Sequence, residues 1–131
     1  RLPAHGTVLG RMLLADLSET ELKQVYPTGK LSKFSDQTPT TLADLTKLLD
    51  NDRPRGYAIS EAYFESGIGS IAAQVRDSSQ RVIAAINVTY QDGTIERADV
   101  EGKLLDRVLL AASELSQQLN YHPGGEVRQT G

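Results

Sequence analysis

Apolar residues recur along this chain with two periods, one helical and one extended. Val8, Leu9, Met12, Leu13 and Leu17 stand at helical spacing and predict a first helix from Thr7 to Leu17. Ser18-Glu19-Thr20-Glu21 has the form of a capping box, in which the Ser18 hydroxyl accepts from the Glu21 amide while the Glu21 carboxylate reaches back. It predicts a short second helix through Leu22 and Val25, stopped at Tyr26-Pro27. The polar stretch from Thr28 to Pro39 reads as a loop that packs through Leu31 and Phe34. Thr41 caps a third helix with Leu42, Leu45, Leu48 and Leu49 on one face, ended by Asn51-Asp52-Arg53-Pro54. A last helix from about Val100 to Asn120, with Asp99 as N-cap, carries the stripe Leu104, Leu105, Val108, Leu109, Ala112, Leu115 and Leu119.

Between the third and last helices the period changes to two. Gly56 to Ser60 predicts a first strand, Ile68 to Arg76 a second and Arg81 to Tyr90 a third. Asp77-Ser78-Ser79-Gln80 is the turn of a hairpin, and Gln91-Asp92-Gly93-Thr94 ends it. Val82 to Val88 is apolar at both alternating sets of positions, which predicts cover on both faces. The fold class is therefore α+β, an antiparallel sheet flanked by helices. Three strands are few for so many apolar helices, so further strands are expected ahead of Arg1. Opening on Arg1 instead of Met, the chain reads as a piece of a longer protein. Residues 1–121 are expected to form one domain, and the Gly- and Pro-bearing stretch 122–131 a flexible tail.

Composition narrows the function. The 131 residues carry a net charge of −3 and no basic stripe, which argues against direct contact with nucleic acid through this segment. The absence of cysteine removes disulfides, thiolate catalysis and Cys-ligated zinc. No apolar run approaches the ~20 residues that span a bilayer, and no leader pattern opens the chain. A cytoplasmic protein with no membrane partner is the expectation. His5 and His122 lack metal-ligand spacing, and the carboxylate pairs Glu19/Glu21, Asp50/Asp52 and Glu61/Glu65 read as solvated. There is no nucleophile motif, phosphate loop or dinucleotide fingerprint. No catalytic residue, metal or cofactor is expected.

Two features can hold a ligand. The helix opening at Thr7, Val8 and Leu9 presents first-turn amides that suit a carboxylate. The hairpin is rich in small residues: Gly69, Ser70, Ala72 and Ala73 on its first strand, Ala84 and Ala85 on its second. Such residues leave volume above a sheet face, or simply let a helix pack closely. Asn87 lies in an apolar run on the same side as Thr89, and its amide needs either neighbouring backbone or a ligand as partner. Tyr63 and Phe64 are placed to lid a pocket or to serve as ordinary core aromatics.

Several stretches, in order, resemble the effector-binding domain of the isocitrate lyase regulator (IclR-type) family of bacterial transcription factors. Residues 2–17 are similar to the family's opening and Leu31 to Thr41 to its loop before a helix. Arg55-Gly56-Tyr57-Ala58 resembles its strand entry, and Ser70 to Asp77 with Ala84 to Val88 its central hairpin. The resemblance implies a GAF-like twisted antiparallel sheet whose first strands, with a winged helix-turn-helix, precede this segment. It also implies a small organic acid effector, homodimers or homotetramers, control of a catabolic operon, and contact with DNA only through the N-terminal domain absent here. By the same resemblance, ligand contacts fall on Val8, Leu9, Ser60, Ser70, Asn87 and Thr89. Three departures bear on the pocket's charge: Ser60 where members often carry an acid, Gly69 where many carry a base, and Thr89-Tyr90-Gln91-Asp92 in place of a small turn. A stand-alone GAF- or PAS-type binding or dimerisation module is the alternative reading.

Overall fold

Thr7 begins helix α1 (Val8–Leu14): in extended conformation, its hydroxyl accepts from the Gly10 amide at 3.0 Å. The computed structural model describes residues 4–61, 67–91 and 93–123. Ser18 starts α2 (Glu19–Val25) with the complete reciprocal capping box, and Thr41 caps α3 (Leu42–Asp52) through the Asp44 amide. Strands β1 (Tyr57–Glu61), β2 (Ile68–Arg76) and β3 (Val82–Gln91) follow, then α4 (Arg97–Asp99), a π-helical turn (Val100–Leu104) and α5 (Leu105–Gln118).

The strands form one antiparallel sheet in the order β1-β2-β3, with an irregularity between Val75 and Arg76. The alternation of side chains divides it into two faces. Ile71, Ala73, Val75 and Tyr90 pack on one side against Val100, Leu105, Val108 and Ala112. Ala58 and Ala72 pack on the other against Val8 and Met12 of α1. A third cluster joins α1 to α2 and α3 through Leu14, Ala15, Leu22, Leu31, Leu45 and Leu49. The fold is thus α+β, as its sequence pattern predicts.

Several expectations change in detail. The first helix ends at Leu14 instead of Leu17. The last helical stretch opens at Arg97, so Asp99 lies inside it and makes no side-chain cap. Its buried stripe is Leu105, Val108, Ala112 and Ser116, while Leu115 and Leu119 are exposed and Leu109 is half-buried. Ser116 follows Ala112 by one turn on the buried side of α5, and its hydroxyl, accepting from the Arg76 amide at 3.1 Å and donating to the Ala112 carbonyl at 2.8 Å, takes the buried place. β3 is covered only in part: Ala84, Ala85 and Ile86 pack against the core, but Ile83, Asn87, Val88 and Thr89 are exposed. Phe34 is exposed too, although its ring lies 5.5 Å from that of His5. Tyr63, Phe64, Glu65, Asp92 and residues 124–131, hence most of the expected tail, lie outside the described residues.

His5 anchors the lead-in to α1. It is buried, its Nε2 donates to the Ser32 carbonyl at 2.8 Å, and its ring meets Tyr26 edge-on at 5.6 Å. The lead-in crosses α1 so closely that a Cβ at Gly10 would collide with the backbone of Ala4. Gly10→Ala is therefore expected to push residues 4–6 off the helix and to cost about 1–3 kcal/mol as an overpacking change. Chemical denaturation checks this; unchanged stability would mean that the lead-in does not cross there.

Candidate functional site

Three hydroxyls lie in one row across the sheet. Ser60 of β1 is paired with Ser70 of β2, and Ser70 with Thr89 of β3. The next row on the same face is Ala58, Ala72 and Asn87, followed by Gln74 paired with Ala85. Among the described residues these three rows carry no charged side chain; Arg76, next along β2, donates to Gln74 Oε1 at 3.1 Å and pairs with Asp16 at 3.5 Å. The small residues leave room for α1 to lie close to the sheet, where Val8 and Met12 cover Ala58 and Ala72.

The direction of α1 follows from its contacts along β2. Val8 packs on Ala72, the Met12 carbonyl accepts from Gln74 Nε2 at 2.9 Å, and Asp16, just past the helix, accepts from the Arg81 guanidinium at 3.0 Å and the Val82 amide at 3.1 Å. The helix therefore runs with β2, and its first turn lies toward the hydroxyl row. The Val8 and Leu9 amides occupy the first two helical positions, which have no partner within the helix. Thr7 differs, because its hydroxyl is already used by the Gly10 amide.

The row is graded in exposure and in satisfaction. Thr89 is exposed and Ser70 half-buried, with their hydroxyls 3.1 Å apart. Asn87 Nδ2 donates to Thr89 Oγ1 at 3.3 Å. Asn87 is exposed, contrary to the expectation of a buried amide, because the α1 cluster covers β3 at Ala85 and not at Asn87, and β3 is an edge strand among the described residues. Ser60 is 6% exposed, and its buried Oγ has no hydrogen-bond partner among the described residues. Sequence-predicted Val8, Ser60, Ser70, Asn87 and Thr89 are thus brought to one face, with Leu9 in the adjoining first turn of α1.

Two of the sequence departures are one structural unit. Gly69 is paired with Tyr90, and a Cβ at Gly69 would collide with the Tyr90 ring. The aromatic ring fills the space that a side chain at 69 would need. Both residues belong to the α5 face, so Gly69 does not bear on the charge of the hydroxyl row.

The residues that hold α1 in place are not singled out by sequence reasoning. Arg11 donates from Nε and Nη2 to the Asp52 carboxylate at 2.9 and 2.8 Å, with both side chains buried. Gln74 bonds Met12, and Arg53 Nε donates to the Ala15 carbonyl at 2.8 Å. The available signal was Arg11 at an apolar position of the helical stripe, between Val8 and Ala15. The groups with displaced pKa lie away from this face. Burial pushes the Tyr26 hydroxyl up, while hydrogen bonds from Ser18 and Ser79 hold the Glu21 and Asp77 carboxyls below the usual range.

A cleft of about 310 Å³ opens on the α5 side, lined by Arg55, Tyr57, Ile59, Arg97, Glu101 and Leu105. None of the sequence-predicted residues lies in it. Among the described residues no group of acids and histidines is placed to hold a metal, and no helix is long and apolar enough to cross a membrane.

Comparison with known proteins follows the same lines. Residues 1–117 match the family model of the bacterial transcriptional regulator IclR C-terminal domain. The Pca regulon regulatory protein of Pseudomonas putida is 32% identical over 119 residues, covering 91% of this chain and 41% of that protein. The chain thus spans less than half the length of that relative. The C-terminal domain of the Escherichia coli transcriptional regulator KdgR superposes with a TM-score of 0.83 at 26% identity, over 92% of this chain and 73% of that one. The inducer-binding domain of the Acinetobacter transcription factor PobR, a double mutant in complex with 3-hydroxybenzoic acid, superposes with a TM-score of 0.81 at 28% identity, over 88% of this chain and 66% of that one. With a single family model over nearly its whole length, and relatives that are regulators by name, this chain belongs to the IclR family, of which it carries the C-terminal domain.

Proposed function

We propose that this chain is the effector-sensing domain of a bacterial transcription regulator, and that it binds a small organic acid between the first turn of α1 and the hydroxyl row. The observation that carries this reading is the buried Ser60 hydroxyl, without a partner among the described residues and in line with Ser70 and Thr89. Buried polar groups are nearly always hydrogen-bonded, and an orphan on a small-residue face suits a ligand. The acid's carboxylate is taken by the Val8 and Leu9 amides with Asn87 and Thr89, and Ser60 and Ser70 meet its other polar atoms. Thr7 contributes by holding the helix opening in shape. Among the described residues nothing on this face pairs a nucleophile with a base, in keeping with a domain that binds a ligand.

In the whole protein, a cytoplasmic homodimer or homotetramer, DNA is contacted by a separate N-terminal domain. Binding shifts the arrangement of subunits and so the control of a catabolic operon. A stand-alone binding module finds less support, because the Pca relative is more than twice as long as the matched segment.

A thermal-shift screen of organic acids, followed by calorimetry of the best binder, tests the site. Ser70→Val and Asn87→Leu are expected to keep the fold, checked by circular dichroism, and each to weaken binding about 10- to 100-fold. Unchanged affinity in both variants would remove the ligand from this face.

A further inference from the structure

The cleft on the α5 side lies on the face of the sheet away from α1, and we propose that it is a second binding site, for a small organic anion of single charge with an apolar body. Its volume of about 310 Å³ is at the small end of the range for ligand clefts. Its floor is apolar: Ile59 of β1 and Leu105, which is 8% exposed, belong to the cluster that packs α5 on the sheet. Tyr57, two residues before Ile59 and so on the same side of the strand, adds its ring to the lining. The helical side is made by Arg97 of α4 and by Glu101 of the π-helical turn that leads into Leu105. Turns of this kind are rare and occur frequently at functional sites.

The charges of the lining decide what the cleft holds. Arg97 Nε donates to the Glu101 carboxylate at 2.9 Å, so these two charges offset each other. Arg55 stands exposed in the turn that enters β1, and its guanidinium makes no hydrogen bond or ion pair among the described residues. Its backbone is fixed, because its amide donates to the Asp52 carbonyl at 3.0 Å. One positive charge is therefore left over, carried by a planar fork of five N–H donors that matches a carboxylate. Glu101 in the same lining repels a second negative charge, which favours a monoanion over a dianion. A neutral ligand leaves the Arg55 fork unused, and an anion without an apolar body leaves Tyr57, Ile59 and Leu105 uncovered.

Benzoate and benzamide, alike in shape but one charged and one neutral, test this by amide NMR titration of the isotopically labelled 131-residue chain. The Glu101 and Gly102 amides report on the cleft and the Val8 and Leu9 amides on the far face, so binding at the two places is read separately. Benzoate is expected to move the Glu101 and Gly102 signals along a saturating curve, with an affinity about 5- to 10-fold above that of benzamide, between the ranges of an exposed ion pair and a charge-assisted hydrogen bond. Arg55→Gln should erase that preference, and Glu101→Gln should tighten benzoate about 2- to 5-fold by removing the repelling carboxylate. Both positions are exposed, so both variants should keep the wild-type circular dichroism spectrum. No saturation of the Glu101 and Gly102 signals at about 10 mM benzoate, which nearly fills a site of millimolar Kd, equal binding of benzamide, a preference that survives Arg55→Gln, or unchanged or weaker binding in Glu101→Gln would each overturn the second site. Movement confined to Val8 and Leu9 would place the anion on the α1 face alone and overturn it as well, while leaving the effector site there standing.

Discussion

Arg11→Ala and Asp52→Ala should each lower the free energy of unfolding by about 3–5 kcal/mol, the scale for breaking a buried ion pair from one side. The two side chains are only 8% and 4% exposed and are joined by two parallel hydrogen bonds of 2.9 and 2.8 Å. Removing either partner strands the other charge out of water. Asp52 has a second reason to need Arg11: it is the last residue of α3, where a negative charge faces the negative end of the helix dipole. Its carbonyl also accepts from the Arg55 and Gly56 amides at 3.0 and 2.9 Å, which sets the entry into β1. The pair therefore ties α1 to the strand that carries Ser60. Replacing both partners with apolar residues, Arg11→Met with Asp52→Leu, should recover most of the stability, because no charge is left stranded. Denaturant titration of the three variants checks this. Single substitutions costing under about 1 kcal/mol, the range of exposed pairs, would show that water reaches the pair.

Leu45→Ala should cost about 2–5 kcal/mol, and Leu115→Ala no more than about 0.5 kcal/mol. Leu45 is fully buried in the cluster that joins α3 to Leu14, Leu22 and Leu31, so truncation leaves a cavity that the surrounding helices cannot close. Leu115 is 41% exposed on the outer side of α5. Both leucines sit in apolar stripes of similar appearance, and thermal or denaturant unfolding of the pair separates them. A large loss at Leu115 would mean that this face of α5 is covered in solution.

The periodicity of the chain was enough to place every strand and the first three helices within a few residues. These signals are local: the Ser18–Glu21 box and the Thr7 and Thr41 caps act within one turn, and the turn at Asp77–Gln80 closes its own hairpin. Alternation along the strands likewise put Ser70 with Ala72 and Asn87 with Thr89 on shared faces before any pairing was known. Register was not local. That Ser60, Ser70 and Thr89 stand in one row depends on how three strands slide past one another, and a shift of one residue would have sent the set to opposite faces. Which edge of the last helix's stripe turns inward was also beyond the sequence, because it depends on how α5 lies on the sheet, where the Arg76 amide meets Ser116 and Leu115 stays outside. Asn87 reads as buried among its apolar neighbours, yet burial depends on what lies over β3, which no stretch of β3 records. The Arg11–Asp52 pair and the Gly69–Tyr90 contact join residues that are distant in sequence, so only the folded chain shows that each explains the other. Local chemistry determined the elements of this protein; the meeting of elements in three dimensions decided which hydroxyls form a site and which charge holds the helix above it.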